Sequence, residues 1–174
     1  MDISAQRLKA LQRPLKAKYR DDPESAVVTL RAEGIASEGI SCRVDVGRAL
    51  IEAGLHKAAG GDGSQACSGD MLLEALVACA GVTLRAVATS LGIHIREARV
   101  SAEGDLDFRG TLAVAKVAPV GFRTIRLRFI IDTEADEPTV SKLLALTERY
   151  CVILQTLRAP PPVTVSHESC TNGA

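Results

Sequence analysis

Between residues 27 and 46, apolar and polar side chains alternate with a period of two. Val28, Leu30 and Ala32 are interleaved with Thr29, Arg31 and Glu33, and Ile40, Cys42, Val44 and Val46 with Ser41, Arg43 and Asp45. That period predicts half-buried strands, with Cys42 on the apolar face as core filler. Gly34 and Gly39 bracket the connection, which predicts a hairpin. A third short strand is expected near residues 48–53. Ahead of these strands, Leu8, Leu11 and Leu15 fall at helical spacing among Lys and Arg. They predict an amphipathic arm docked on its own domain, kinked or divided by Pro14 and ended at Asp21-Asp22-Pro23.

The period then changes. A loop of small residues, 59–69, leads into a helix predicted over 70–91. Ser68 or Asp70 is placed to cap it and Gly92 to stop it. This helix is apolar on nearly every side, from Met71, Leu72 and Leu73 to Ala86, Val87 and Ala88. Only Glu74 and Arg85 line up as a polar stripe. A helix apolar all round is buried all round. A short chain can cover one side with a sheet, so a second subunit is the economical cover for the other.

Strict alternation returns at Ala98, Val100, Ala102, Leu106 and Phe108, and again at Ile125, Leu127, Phe129 and Ile131. The acidic Glu103, Asp105 and Asp107 read as a solvated sheet face. Asp136 and Pro138 open a second helix. Its apolar stripe runs from Val140 through Cys151 to Leu157, and Pro160–Pro162 ends it. Val163-Thr164-Val165 is a candidate last strand. Strands, helix, strands, helix, strand make an α+β fold with largely antiparallel pairing. The expected organisation is an arm over 1–24, one domain over 25–166 and a polar tail over 167–174.

Composition narrows the function. The chain has 174 residues, 47% hydrophobic and 24% charged, a length and balance that suit one globular domain. Lys plus Arg and Asp plus Glu are 21 each, and there are three Phe, two Tyr and no Trp. A phosphate-binding surface usually carries a basic surplus and single-strand binders need aromatic platforms, so nucleic acid is not an expected partner. Runs free of Lys, Arg, Asp and Glu reach no more than ten residues, as in Ala75–Leu84, short of the roughly 20 of a membrane span. Six basic residues and no apolar core segment in the first twenty positions argue against a secretory signal. The chain reads as cytoplasmic.

Five cysteines, Cys42, Cys67, Cys79, Cys151 and Cys170, are odd in number and widely spaced, and His56, His94 and His167 are scattered. Neither a disulfide framework nor a structural zinc site follows from that pattern. In a reducing compartment such cysteines are buried small hydrophobes or working thiols. Cys79, in Ala-Leu-Val-Ala-Cys, and Cys151, in Glu-Arg-Tyr-Cys-Val-Ile-Leu, each lie in the most apolar part of a helix. Cys170 belongs to the polar tail. His56 and His94 fall near element ends as solvated residues.

Three stretches resemble the OsmC/Ohr family, the osmotically inducible and organic hydroperoxide resistance proteins. They are Gly60-Gly-Asp-Gly through Ser68-Gly-Asp-Met-Leu-Leu-Glu-Ala-Leu-Val-Ala-Cys79, Gly104-Asp-Leu-Asp-Phe-Arg109, and Glu148-Arg-Tyr-Cys151-Val-Ile-Leu-Gln-Thr-Leu157. The resemblance spans about residues 25–166. It implies an OsmC-like fold, with antiparallel sheets around buried central helices in an intertwined homodimer. It implies a thiol peroxidase for organic hydroperoxides, without metal, haem or flavin. Cys79 would be peroxidatic, Cys151 resolving, and a lipoyl-type dithiol the reductant. In the family, a Glu just before the central helix and an Arg in the first hairpin complete the site. Here the Glu position falls on Gly69, the hairpin stretch Glu33–Ser37 has no Arg, and Val152 replaces the usual Pro. Asp70 either stands in for the Glu or caps the helix. Arg31 or Arg43 either supplies the guanidinium or is a solvated strand residue. Cys67, in the loop before the helix, is an alternative resolving thiol or a passive one. The competing reading is a non-catalytic dimer that binds a small apolar or thiol ligand in its interfacial cavity.

Overall fold

The computed structural model describes residues 5–37, 41–44, 53–64 and 66–167; the side chains of 5–9, 30–37 and 41–44 lie outside that description. The strands expected from the period of two form an antiparallel sheet. Strand β1 covers Val27–Ser37, β2 Ser41–Val44, β3 Ile95–Asp107 and β4 Phe122–Thr133. Their spatial order is β2-β1-β3-β4. The hairpin forms, but β1 runs straight through Gly34, which pairs with Val44, and on to Ser37 opposite Ser41. The stretch Glu33–Ser37 is therefore strand and not turn. Arg31 pairs with Glu103 and Arg43 with Ile35 in the ladder, and the side chains of Arg31, Arg43 and Cys42 are outside the described set. So is most of the expected third strand; Ala53 makes only an isolated parallel bridge to Ala66.

Helix α1, Ala5–Asp21, is continuous through Pro14, where the sequence predicts a kink or division. Pro14 and Ala10 are both exposed, so the carbonyl that loses its helical donor faces water and the break costs little. The arm docks as expected. Tyr19 is buried against Ala26, Ala59, Phe108 and Leu112, its hydroxyl donates to the Ala58 carbonyl at 2.7 Å, and Gln12 Nε2 donates to the Ala59 carbonyl.

Helix α2, Ser68–Leu91, is the centre of the fold. It begins two residues earlier than the sequence suggests. Cys67 is its N-cap, with no side-chain capping bond, and neither Ser68 nor Asp70 caps it. Gly92 ends it at φ 68°, a left-handed conformation that suits glycine. Leu73, Leu76, Val77, Ala80, Gly81, Leu84, Val87 and Ala88 form one buried stripe against Ala98, Val100 and Ala102 of β3. Each large side chain in that stripe contributes about 1.5–3 kcal/mol by leaving water. By length and composition α2 is apolar enough to cross a membrane; its buried stripe is instead core packing. The opposite face, Met71, Leu72, Ala75, Ala78, Val82 and Ala86, is exposed or half-buried within one chain. The expectation of burial all round is thus met on one side only.

The sequence predicts one helix after β4. The structure divides it into α4, Glu137–Tyr150, and α5, Val152–Arg158, with Cys151 between them. A four-residue helix, α3, covers Phe108–Thr111. Cys151 has φ −71° and ψ 104°, an extended geometry that stops α4 without a proline. Residues 160–167 carry no regular structure, and Val163 and Val165 are 83% and 94% exposed. The expected last strand does not form within one chain. Asp107 is also not solvated: it is 2% exposed and clamped by Arg109.

Candidate functional site: a buried pair of thiols

The break at Cys151 is built as a rigid mount. The Cys151 N–H donates to the Thr147 carbonyl at 2.9 Å, and the Gln155 N–H donates to the Cys151 carbonyl at 2.9 Å. Thr147 is itself buried and donates its hydroxyl to the Leu143 carbonyl. Across the junction, Gln155 Nε2 donates to the Glu148 carbonyl at 2.7 Å and Arg158 pairs with the Glu148 carboxylate at 2.8 Å. Both helices are therefore pinned on either side of the cysteine.

This mount holds Cys151 in a buried apolar cluster with Leu73, Leu76, Val77, Ala80 and Leu154, and Cys79 of α2 packs against the same cluster. The two thiols are not equivalent. Cys151 is 1% exposed, whereas Cys79 is half-buried. Burial, which penalises the thiolate, pushes the Cys151 thiol up to about 11, with the Cys79 sulfur adding to the rise. The backbone N–H groups of Leu154 and Ile153, at the start of α5, point at the Cys151 sulfur and partly offset that shift. Burial keeps the proton on Cys151.

A groove of about 860 Å³ lies beside the pair. Its floor is apolar: Leu76 and Leu154 belong both to the thiol cluster and to the groove wall, joined by Phe122, Leu127, Phe129 and Leu157. Arg123, Arg128 and the Glu148–Arg158 pair line its rim. Phe122 is seated over Gly104 of β3, where a Cβ would come within 2.4 Å of the ring. A volume of this size fits a small organic ligand.

The other candidate residues are not gathered here. Asp70 lies nine residues before Cys79 on α2, two and a half helical turns away. Within one chain that places it on the opposite face and about 13 Å along the axis. Burial raises the Asp70 carboxyl and His56 opposes the rise; burial and the Asp70 charge raise Glu74. His56 is not simply solvated: it is half-buried, accepts the Ala58 N–H at Nδ1 (3.0 Å) and stacks on Phe108 at 5.0 Å. Cys67 packs at the edge of the same apolar cluster, but it stands twelve residues before Cys79, about 18 Å down the helix axis, so it cannot bridge to Cys79 of the same chain. Cys170 is outside the described residues. Among the described residues no cluster of three or more His, Cys, Asp or Glu could hold a metal ion. Sequence reasoning did not find the groove or the helix break, because no Pro or Gly marks the junction at Tyr150-Cys151-Val152.

Comparison with known proteins places this arrangement. The family model described as OsmC-like protein matches residues 61–166. An OsmC-like hydroperoxide resistance protein from Jannaschia sp. CCS1 superposes with TM-score 0.62 at 18% identity, over 84% of this chain and 96% of that one. An OsmC-like protein from Mycoplasma pneumoniae gives TM-score 0.53 at 17% identity, over 77% and 86%. No curated protein sequence matches the chain.

Proposed function

The chain belongs to the OsmC-like protein family, and from that premise we propose that it is a cysteine-based peroxidase for organic hydroperoxides. The observation that carries this reading is that Cys79 and Cys151 pack in one apolar cluster beside an apolar groove. Cys79, the half-buried member, is the peroxidatic thiol. Its thiolate attacks the distal oxygen of ROOH; an S–O bond forms, the O–O bond breaks and alkoxide leaves, giving a sulfenic acid. Cys151 resolves: its sulfur displaces the sulfenic oxygen, forms the disulfide and releases water. A cellular dithiol, lipoyl-type by resemblance, returns both thiols by exchange. The groove favours a substrate with an organic R group over hydrogen peroxide.

Two further features belong to the proposal. The apolar far face of α2 calls for a second copy, so the working unit is a homodimer. A dithiol cycle needs thiols kept reduced between turnovers, which suits the cytoplasm. Gly69, at the position where the family carries a Glu, favours a second reading in which the same dimer binds a small apolar or thiol ligand without turnover. Steady-state consumption of cumene hydroperoxide with a dithiol reductant separates the two. The peroxidase reading expects turnover that Cys79→Ser abolishes. Hydroperoxide consumption at the no-enzyme rate by the reduced wild-type protein would leave the binding reading.

A further inference from the structure

Helix α1 concentrates positive charge. Ala5–Asp21 holds six Lys and Arg against one Asp, in a chain whose formal charge is zero. The rest of the molecule is therefore net acidic, and the two signs are separated along the chain. Docking sorts the side chains of the arm. Leu15 and Tyr19 pack into the core and Gln12 reaches the Ala59 carbonyl, so one side of the helix is occupied. The opposite side shows Ala10, Pro14 and Ala17 to solvent. Arg13 and Arg20 are exposed on one flank with Lys16 half-buried beside them, and Lys18 is exposed on the other. Leu11 is 42% exposed. Arg13, Lys16 and Arg20 succeed one another at spacings of three and four, which makes them neighbours on the helix surface, where like charges repel and weaken the helix. Among the described residues none of these four cations forms an ion pair. An anionic surface laid over the helix relieves that repulsion.

We propose that the outer face of α1 docks the protein on an anionic membrane surface. The helix lies flat, with Ala10, Leu11, Pro14 and Ala17 against the headgroup layer and the cations on both flanks reaching lipid phosphates. From Ala10 to Arg20 this face runs about 15 Å. Its mixture of small apolar residues and cations suits lipid better than nucleic acid. Base edges are read by amide, hydroxyl or bidentate side chains, and Gln12, the one described amide of the arm, is spent on Ala59. The aromatic ring of the arm, Tyr19, is buried and offers no stacking platform. The net acidic remainder of the chain turns the molecule arm-first toward a negative surface. For a peroxidase of organic hydroperoxides, whose apolar members partition into bilayers, docking there sets the enzyme beside its substrate.

The test is flotation of the full chain with vesicles of phosphatidylglycerol and phosphatidylcholine in equal parts, beside vesicles of phosphatidylcholine alone, at low salt. The protein should float with the anionic vesicles and not with the neutral ones. Binding should be lost at about 1 M salt, where the Debye length falls to about 3 Å. Neutralising three exposed cations together, Arg13→Gln, Lys18→Gln and Arg20→Gln, should weaken binding by about a hundredfold, at about fivefold for each cation near an anionic surface. The three are solvent-exposed, so the urea midpoint of this variant should match wild type. Arg13→Lys with Arg20→Lys keeps the charge and should bind as wild type does. Equal binding to the neutral vesicles, or none to the anionic ones, overturns the proposal. Wild-type affinity in the neutralised variant overturns it too. Tighter binding to a DNA duplex than to the anionic vesicles, measured by anisotropy at the same salt, would give the face to nucleic acid and overturn the membrane. Vesicle binding does not involve Cys79 or Cys151, so its failure leaves the peroxidase reading standing, and a protein without peroxidase turnover can still bind vesicles.

Discussion

Oxidising the reduced protein with one equivalent of cumene hydroperoxide should close a Cys79–Cys151 disulfide and stabilise the fold measurably. The two cysteines are 72 residues apart. A crosslink closing a loop of that length removes denatured-state entropy corresponding to about 4 kcal/mol at 25 °C. The native side should add little strain, because the two cysteines already pack in one cluster in the reduced state and α4 and α5 are pinned on both sides of Cys151. For a chain of this size the gain corresponds to a rise in Tm of roughly 8–16 °C. Urea titrations of the reduced and oxidised protein at equal concentration read the effect, with peptide mapping to confirm the bridge. Cys79→Ser and Cys151→Ser treated in the same way should show no shift. If mapping finds the Cys79–Cys151 bridge and the oxidised form is no more stable than the reduced one, the two sulfurs are not mounted for unstrained bridging, and the reasoning fails.

Other outcomes follow from the same structure. Gly104→Ala forces a methyl against the Phe122 ring and should cost about 1–3 kcal/mol in urea unfolding; a loss under 0.5 kcal/mol would show that the ring is not seated there. Ala75→Glu, on the uncovered face of α2, should give a folded species of half the wild-type mass by light scattering, whereas unchanged mass would remove that face from the dimer. Asp70→Asn should leave the rate of Cys79 oxidation unchanged, since Asp70 faces away from Cys79 within its own chain; a tenfold loss would return it to the site. The raised Cys151 thiol also gives a pH signature. Its folded value, about 11, exceeds the ordinary 9.0, so its contribution to stability is complete below pH 9 and lost as pH climbs to about 11. The urea midpoint of wild type relative to Cys151→Ala should fall across that window and be flat below it.

The sheet and the central helix were legible because their periods are clean. Val100, Ala102, Leu127 and Phe129 alternate strictly, and the stripe of Leu73, Leu76, Val77, Ala80 and Leu84 repeats every three to four residues. The break at Cys151 was not legible, since the apolar stripe continues through Tyr150, Ile153 and Leu154 and no Pro or Gly interrupts it; tertiary docking of α5 on α2 decides it. Asp107 misled for a related reason. Its place in an alternating acidic strand suggests solvent, but β3 ends there: Asp107 is the N-cap of α3 and its carboxylate accepts from the Arg109 backbone N–H and guanidinium. Pro14 carried a strong local rule that exposure made inexpensive. The pairing of Cys79 with Cys151 came from a resemblance, because no sequence spacing fixes a contact between two helices. The exclusion of Cys67 and Asp70 from that contact needed only the length of the helix between them.

The most direct test of the central claim is the second-order rate constant for oxidation of Cys79 by cumene hydroperoxide, measured by stopped flow on the fully reduced protein at pH 7 beside hydrogen peroxide and free cysteine. An ordinary thiol of pKa about 8.5 is only a few per cent thiolate at that pH. A peroxidatic Cys79 should therefore exceed free cysteine by orders of magnitude, and the apolar groove should make the organic peroxide the faster substrate. A rate equal to that of free cysteine for both peroxides would contradict the account.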